Sequence, residues 1–291
     1  MFWTIENECL SVTVEDLGAQ IKSIYSKKYK TEYFWQGSDR YWKGRGYNLF
    51  PVVGRLYDGK YTFNGKEYPM GIHGFARNSL FTLCEKDDLK MVFAVSSNDE
   101  TLKVYPFEFI FKIEYSLEKN RLVVKYIVEN KGKEVMYFGL GAHPGFNVPF
   151  DGGNFNDYYI EFNSECSPER LLLGPNYLMS GKSTRFELKN DKILRLKHDL
   201  FDDDAVILKN SARSLKIKKQ GGEKTIEVEF PNMPYLGIWH TVKSDAPFVC
   251  IEPWENLPSN EGELQDITEK ENIGVLKPLS EYQSEVRITI E

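Results

Sequence analysis

The sequence predicts an all-β fold of antiparallel strands, a sandwich or a barrel. The dominant hydrophobic period is two. Phe107, Phe109, Phe111, Ile113 and Tyr115 alternate with Glu108, Lys112 and Glu114, the pattern of a half-buried strand. Helical signal is poor, because no window of a dozen residues keeps an apolar stripe at i, i+3, i+4 and i+7. Turn chemistry recurs throughout: Asn64-Gly65, Lys131-Gly132-Lys133, Asp151-Gly152-Gly153-Asn154 and Gln220-Gly221-Gly222. Many short strands with regular turns indicate a sandwich or a barrel.

The elements follow in order. Phe2 to Val14 and Ala19 to Tyr25 read as an opening pair of strands around Asp16-Leu17-Gly18. Glu118-Lys119-Asn120-Arg121 reads as the hairpin turn between the Phe107 strand and Leu122 to Val128. Short helical turns are expected near Pro168-Glu169-Arg170-Leu171 and from Glu269 to Gly274. Lys216-Ile217-Lys218-Lys219, the densest basic patch, reads as a solvated strand and turn. Thr225 to Phe230 and Val286 to Ile290 alternate cleanly. There is no low-complexity linker and no internal repeat, so residues 1–291 are expected to form one domain.

Composition limits the function classes. A net charge of -6 argues against nucleic acid and anionic membrane as partners. No apolar run reaches the roughly 18 residues of a membrane span. The N-terminal residues, Met1 to Glu6, lack the basic and apolar regions of a secretory signal. Cys9, Cys84, Cys166 and Cys250 are widely spaced, so neither a zinc site nor a disulfide framework is indicated. A reducing cytoplasm is the expected compartment. Monomer and homodimer both stay open.

Few residues can carry chemistry. Glu252 interrupts the apolar run Phe248 to Ile251 and is followed by Pro253-Trp254. A carboxylate at the end of a buried strand has a raised pKa and suits a base; a solvated loop start is the plainer reading. His73 lies in Gly71-Ile72-His73-Gly74, and His143 in Gly141-Ala142-His143-Pro144-Gly145. Glycines let a ligand approach closely; a backbone-capping role is the alternative for both histidines. His198 reads as a surface histidine, and His240 is assigned no role. Arg55 and Arg77 offer fixed donor forks for hydroxyls, carboxylates or phosphate, or make surface ion pairs. Asp202-Asp203-Asp204 precedes a strand-like run, and its last member could reach a pocket. Trp239 is either core or a flat platform for a sugar face.

The order Asn48-x-x-Pro51-x-x-Gly54-Arg55, His73-Gly74-Phe75-Ala76-Arg77, Gly141-Ala142-His143-Pro144-Gly145-Phe146 and Ile251-Glu252-Pro253-Trp254 resembles the aldose 1-epimerases, or galactose mutarotases. The resemblance covers nearly the whole chain and is strongest to the LacX-like branch. It implies a large antiparallel β-sandwich and a small-molecule sugar as partner. It implies Glu252 as general base, His143 as general acid and His73 as a donor near the sugar ring oxygen. Arg55 and an aspartate, Asp204 or else Asp203, are implied as hydroxyl ligands. Phe75-Ala76-Arg77 and Pro253-Trp254 depart from the best-studied galactose mutarotases, which bears on the preferred sugar rather than on the chemistry.

The implied reaction opens and closes a hexose ring by proton transfer alone, so no cofactor and no metal are expected. A protonated His143 beside an ionised Glu252 is the expected resting pair. The rate should then rise with pH as Glu252 loses its proton and fall as His143 loses its own. Three other readings remain open. They are a sugar-phosphate mutarotase with an arginine clamp, a non-catalytic carbohydrate-binding sandwich, and a glycoside hydrolase using Glu252 with Asp204.

Overall fold

Two large sheets hold the core. In the computed structural model, which describes residues 1–291, a nine-stranded sheet runs in the order 193–195, 158–162, 214–219, 225–229, 281–290, 121–130, 109–118, 90–96 and 82–86. A seven-stranded sheet runs 179–185, 169–173, 206–209, 235–239, 248–254, 141–147 and 46–49. A four-stranded sheet, from Phe2 to Glu32, the hairpin 60–63 with 66–69, and a long-range pair, 136–138 with 274–276, complete the fold. Every named strand pair is antiparallel, as in a β-sandwich.

The alternating sequences form these strands for the expected reason. Arg121–Asn130 alternates strictly between half-buried and buried residues, and Phe109–Glu118 does the same before its exposed last residue. The hairpin between them is tight: Glu118 pairs Arg121, and Lys119 takes a φ of 56°. One core cluster of 63 residues joins both sheets, from Ile5 near one end of the chain to Ile290 near the other. Phe50 stacks on Phe111 at 4.6 Å between ring centroids. Asn48 ties the sheets by hydrogen bonds: it donates to the Tyr115 hydroxyl at 3.1 Å and accepts from that of Tyr126 at 3.1 Å. No helix is long and apolar enough to cross a membrane.

Several local expectations are corrected. Phe2 to Val14 is two strands, Phe2–Glu6 and Leu10–Glu15. Asn7 turns the chain between them, its Oδ1 accepting from the amides of Cys9 and Leu10, both at 2.8 Å. Glu169–Leu173 is a strand, not a helical turn, because strands on both sides supply its ladder partners. The turn expected from Glu269 lies earlier, at Ile267–Glu269, and Gly274 already begins a strand. The sequence reading missed the α-helix Asp99–Val104. Six residues are too few to show a stripe; its start is fixed by Asn98, whose side chain accepts from the amides of Glu100 and Thr101.

Candidate active site

The site grows from one row of the seven-stranded sheet. Leu171 pairs Ile207, Ile207 pairs Gly237 and Gly237 pairs Glu252. The pairings Gly141 with Trp254 and Gly145 with Cys250 set His143 opposite Glu252 on the next strand, and His143 pairs Tyr47 beyond it. Cross-strand neighbours share a face, so these side chains meet. Gly237 has no side chain to fill the row. A Cβ there would stand 2.9 Å from the Trp254 ring and 3.2 Å from Glu252 Cβ. The Trp254 ring fills that space, and the row borders a cavity of about 240 Å³.

All seven residues singled out in the sequence line this cavity: Arg55, His73, Arg77, His143, Asp204, Trp239 and Glu252. They come from loops and strands spread over 198 positions, from 55 to 252. Asp204 is the cavity member of the triple-Asp run, while Asp202 and Asp203 line a different groove. Trp254, quoted beside Glu252 in the sequence, lines the cavity too; Trp42, Tyr47 and Tyr177 also line it and were not anticipated. Trp42 stacks on His143 at 4.9 Å and meets Trp239 edge-on at 5.7 Å. Its neighbours Gly44 and Gly46 gave no periodic signal by which to find it.

Glu252 and His143 are in contact. His143 Nε2 lies 3.3 Å from Glu252 Oε2, and both side chains are buried. Burial raises the Glu252 carboxyl well above its ordinary value, helped by the charge of Asp204 and opposed by the Trp254 indole. Burial also pushes His143 down to about 3. The expected resting ion pair is therefore corrected. Desolvation works against the mutual attraction, since burial favours the neutral carboxyl and the neutral imidazole alike. His143 Nδ1 is buried without a hydrogen-bond partner.

The other groups are donors. His73 has a φ of 64°, and Gly74 follows with 72°, where a Cβ would stand 2.2 Å from the Phe50 carbonyl. This turn aims the imidazole inward. His73 Nδ1 accepts from the Gly54 amide at 3.1 Å, which leaves the hydrogen on Nε2. Burial, then the charges of His143, Arg77 and Arg55, hold its pKa well below the usual histidine range, so it is a neutral donor. Neither Arg55 nor Arg77 has a carboxylate within 4.0 Å, so neither is the surface ion pair of the plainer reading. Arg77 instead lies 5.1 Å from the Tyr47 ring and Arg55 5.5 Å from that of Tyr177. Burial raises Asp204, opposed by Trp239, the Ala205 amide and Arg55.

Such a cavity can move one proton between adjacent oxygens of a bound polyol while donors hold its other hydroxyls. The sequence pattern of the family described as aldose 1-epimerase matches residues 1–266. The plasmid LacX protein of Lactococcus lactis subsp. lactis is 31% identical over 98% of this chain and 98% of its own. The chain belongs to the aldose 1-epimerase family. Among solved structures, a galactose mutarotase related enzyme from Lactobacillus acidophilus superposes with a TM-score of 0.94 at 33% identity, covering 100% of this chain and 97% of its own. A galactose mutarotase-like protein from Lactobacillus casei ATCC 334 gives 0.92 at 31% identity, covering 100% of both.

Two features of this aldose 1-epimerase family member were not legible in the sequence. Cys250 stands two residues before Glu252 on the same face. Its thiol, His143 and Glu252 bring ligand atoms within 4.8 Å of one another, an arrangement that could hold a metal ion. Burial keeps that thiol protonated. His198 is not a plain surface histidine. It is half-buried outside the cavity, stacked on Phe155 at 4.2 Å, with its Nδ1 3.0 Å from His240 Nε2. His240 Nδ1 donates to the Thr241 carbonyl at 2.7 Å, which makes its Nε2 the acceptor from His198.

Proposed function

We propose that this protein, as one domain over residues 1–291, is a mutarotase that interconverts the α and β anomers of a hexose. The 3.3 Å contact of His143 Nε2 with Glu252 Oε2 carries the reading. Mutarotation needs a base on the anomeric hydroxyl and an acid on the ring oxygen. Both oxygens are bonded to C1, so acid and base must be immediate neighbours. A facing-carboxylate hydrolase needs instead a pair about 5–9.5 Å apart with the substrate between them.

Glu252 takes the C1 hydroxyl proton while His143 gives one to the ring oxygen, and the C1–O bond of the ring breaks. The aldehyde rotates about C1–C2, and reversal of both transfers closes either anomer. The working pair is carboxylate with imidazolium, one proton shift from the resting form. A substrate hydroxyl donating to Glu252 favours that shift, because hydrogen bonds to an ionised acceptor stabilise it. His73 Nε2–H, Arg55, Arg77 and Asp204 hold hydroxyls, and Trp239 faces the ring. One observation favours a second reading, a sugar-phosphate mutarotase: two guanidinium groups in the cavity lack a carboxylate partner. A cytoplasmic setting is inferred from four cysteines without a disulfide.

The test is polarimetry of fresh α-anomers of free and phosphorylated hexoses. Faster relaxation of optical rotation with a free hexose is expected. No acceleration with any sugar would leave a binding protein as the better reading. Turnover should survive dialysis against a chelator. Loss restored by one metal ion would assign His143, Cys250 and Glu252 to that metal and sink the acid–base scheme.

A further inference from the structure

A second cavity opens on the same face of the seven-stranded sheet. It holds about 160 Å³, several times the ~10–15 Å³ that one water needs. It meets the first cavity at Pro258. Leu171 and Lys209 line it from the strands whose residues Leu173 and Ile207 line the first.

Lys270 enters it from the loop after the turn Ile267–Glu269. The residue is only 5% exposed. Its Nζ donates to Ser259 Oγ at 3.2 Å, and no carboxylate lies within 4.0 Å of it. A buried ammonium is ordinarily paired, because burial strips its hydration. Lys182 and Lys209 also line the cavity; Lys182 is exposed, and Lys209 pairs with Glu169 at 3.1 Å. Glu271 is the one lining carboxylate. It is exposed and accepts from the Tyr235 hydroxyl at 2.9 Å. Gln265 Oε1 accepts from the Asn260 amide at 3.1 Å, which leaves the side-chain NH₂ of Gln265 as a donor.

We propose that this second cavity is an anion-binding site, taking the phosphate or carboxylate group of a small molecule with Lys270 as the buried counter-ion. Two ammonium hydrogens of Lys270 are left for the ligand once Ser259 has taken one. Burial lowers its pKa to about 8, so it stays mainly charged at neutral pH, and an anion beside it pushes that value back up. Ser259 also joins the two cavities, its amide donating to the Arg55 carbonyl at 2.9 Å. The site does not depend on what the first cavity does.

The test is calorimetric titration of the full chain at pH 8 with inorganic sulfate, a tetrahedral dianion that does not titrate there, and separately with acetate. Binding of either supports the site, and the tighter of the two tells a phosphate-like ligand from a carboxylate. Binding should draw a proton onto the protein, read by repeating the titration in two buffers of different ionisation heat. Lys270→Met should weaken binding about 10- to 100-fold, as for lost charge-assisted hydrogen bonds. It should leave turnover of a free hexose unchanged. Equal affinity in wild type and Lys270→Met overturns the proposal. So does loss of sulfate binding in Arg77→Ala with retention in Lys270→Met, which would place the anion in the first cavity. Should Lys270→Met not fold, the proton uptake of the wild type decides, and its absence overturns the proposal. None of these readouts is a rate on sugar, so a protein that binds the anion without mutarotase activity keeps this site and loses only the other reading.

Discussion

Strands Arg121–Asn130 and Phe248–Trp254 each lie inside a sheet, yet they bury their residues differently. The first alternates buried with half-buried residues along its whole length. The second is buried at all seven residues. Its period of two is hidden rather than absent. Val249 and Ile251 face the large core. Phe248 and Cys250 face a small aromatic cluster, Trp254 another cluster, and Glu252 the cavity between them. A covered outer face is what allows a sheet to desolvate an acid and a histidine together, and so to perturb both. The nine-stranded sheet is a support; the seven-stranded sheet carries the cavity and the Glu252–His143 pair.

The sharpest way to break this contrast is to change the pair on the covered face. Glu252→Gln and His143→Asn should each lower turnover by roughly 10²–10⁴-fold, with circular dichroism unchanged. The double variant should be scarcely worse than the poorer single one, because groups acting as a unit are not additive. The pH profile follows from one shared proton. The acid limb comes when a second proton reaches His143, whose pKa is pushed down to about 3. The alkaline limb comes when the single proton leaves the pair, late because burial holds it on Glu252. The limbs are thus assigned oppositely to the sequence expectation, as macroscopic values of the couple. Retained turnover in a folded Glu252→Gln protein removes the mutarotase scheme.

The supporting sheet should respond the other way. Phe111 is fully buried, between Phe50 at 4.6 Å and Tyr126 at 6.3 Å. Phe111→Ala should cost about 3–5 kcal/mol in urea denaturation, since the cavity it leaves cannot collapse fully. Turnover per folded molecule should not change. A large fall in turnover at full folding would show that the two sheets do not divide support from chemistry.

Glu255, one residue beyond the strand Phe248–Trp254, separates burial from catalysis within the covered region. Burial raises its carboxyl from 4.5 to about 7, against a hydrogen bond from the Tyr282 hydroxyl at 3.0 Å. A raised folded-state pKa means that stability is full below pH 4.5 and is lost as pH rises towards 7. Glu255→Gln removes that loss. It should match wild type near pH 4 and exceed it by about 3 kcal/mol at pH 8, with turnover retained. A variant no more stable than wild type at pH 8 would mean that the carboxylate stays well solvated.

What the sequence disclosed follows the same division. The half-solvated strands around Phe111, Val124 and Ile288 announce themselves, because one face is polar. Glu252 was visible only as a polar interruption in an apolar run. The seven expected cavity residues were found through glycine neighbours, strand ends and family order. Trp42 and Tyr47 were not: Trp42 lies in an irregular segment without a period, and Tyr47 in a strand of four residues, too short to show one. Cys250 was hidden by the same double burial that hides its strand's alternation. Lys270 lay inside the expected turn from Glu269 to Gly274 and was given no role, since only tertiary contacts bury it.

The smallest expected effect bears on what the covered face binds. Arg77 Nε is buried without a hydrogen-bond partner, and the guanidinium lies over the Tyr47 ring in the cavity. A neutral hydroxyl accepting from it would contribute about 0.5–1.5 kcal/mol, whereas a phosphate would contribute more through a charge-assisted bidentate bond. Arg77→Ala should therefore raise KM for free glucose modestly, by an amount within that range, with kcat little changed. The loss should be the same at low and high salt, because a neutral partner leaves little to screen. Measuring the variant on glucose and on glucose 6-phosphate at two salt concentrations separates the substrates. A large, salt-sensitive loss confined to glucose 6-phosphate would replace free hexose by its phosphate as the natural ligand, with Glu252 and His143 keeping their places.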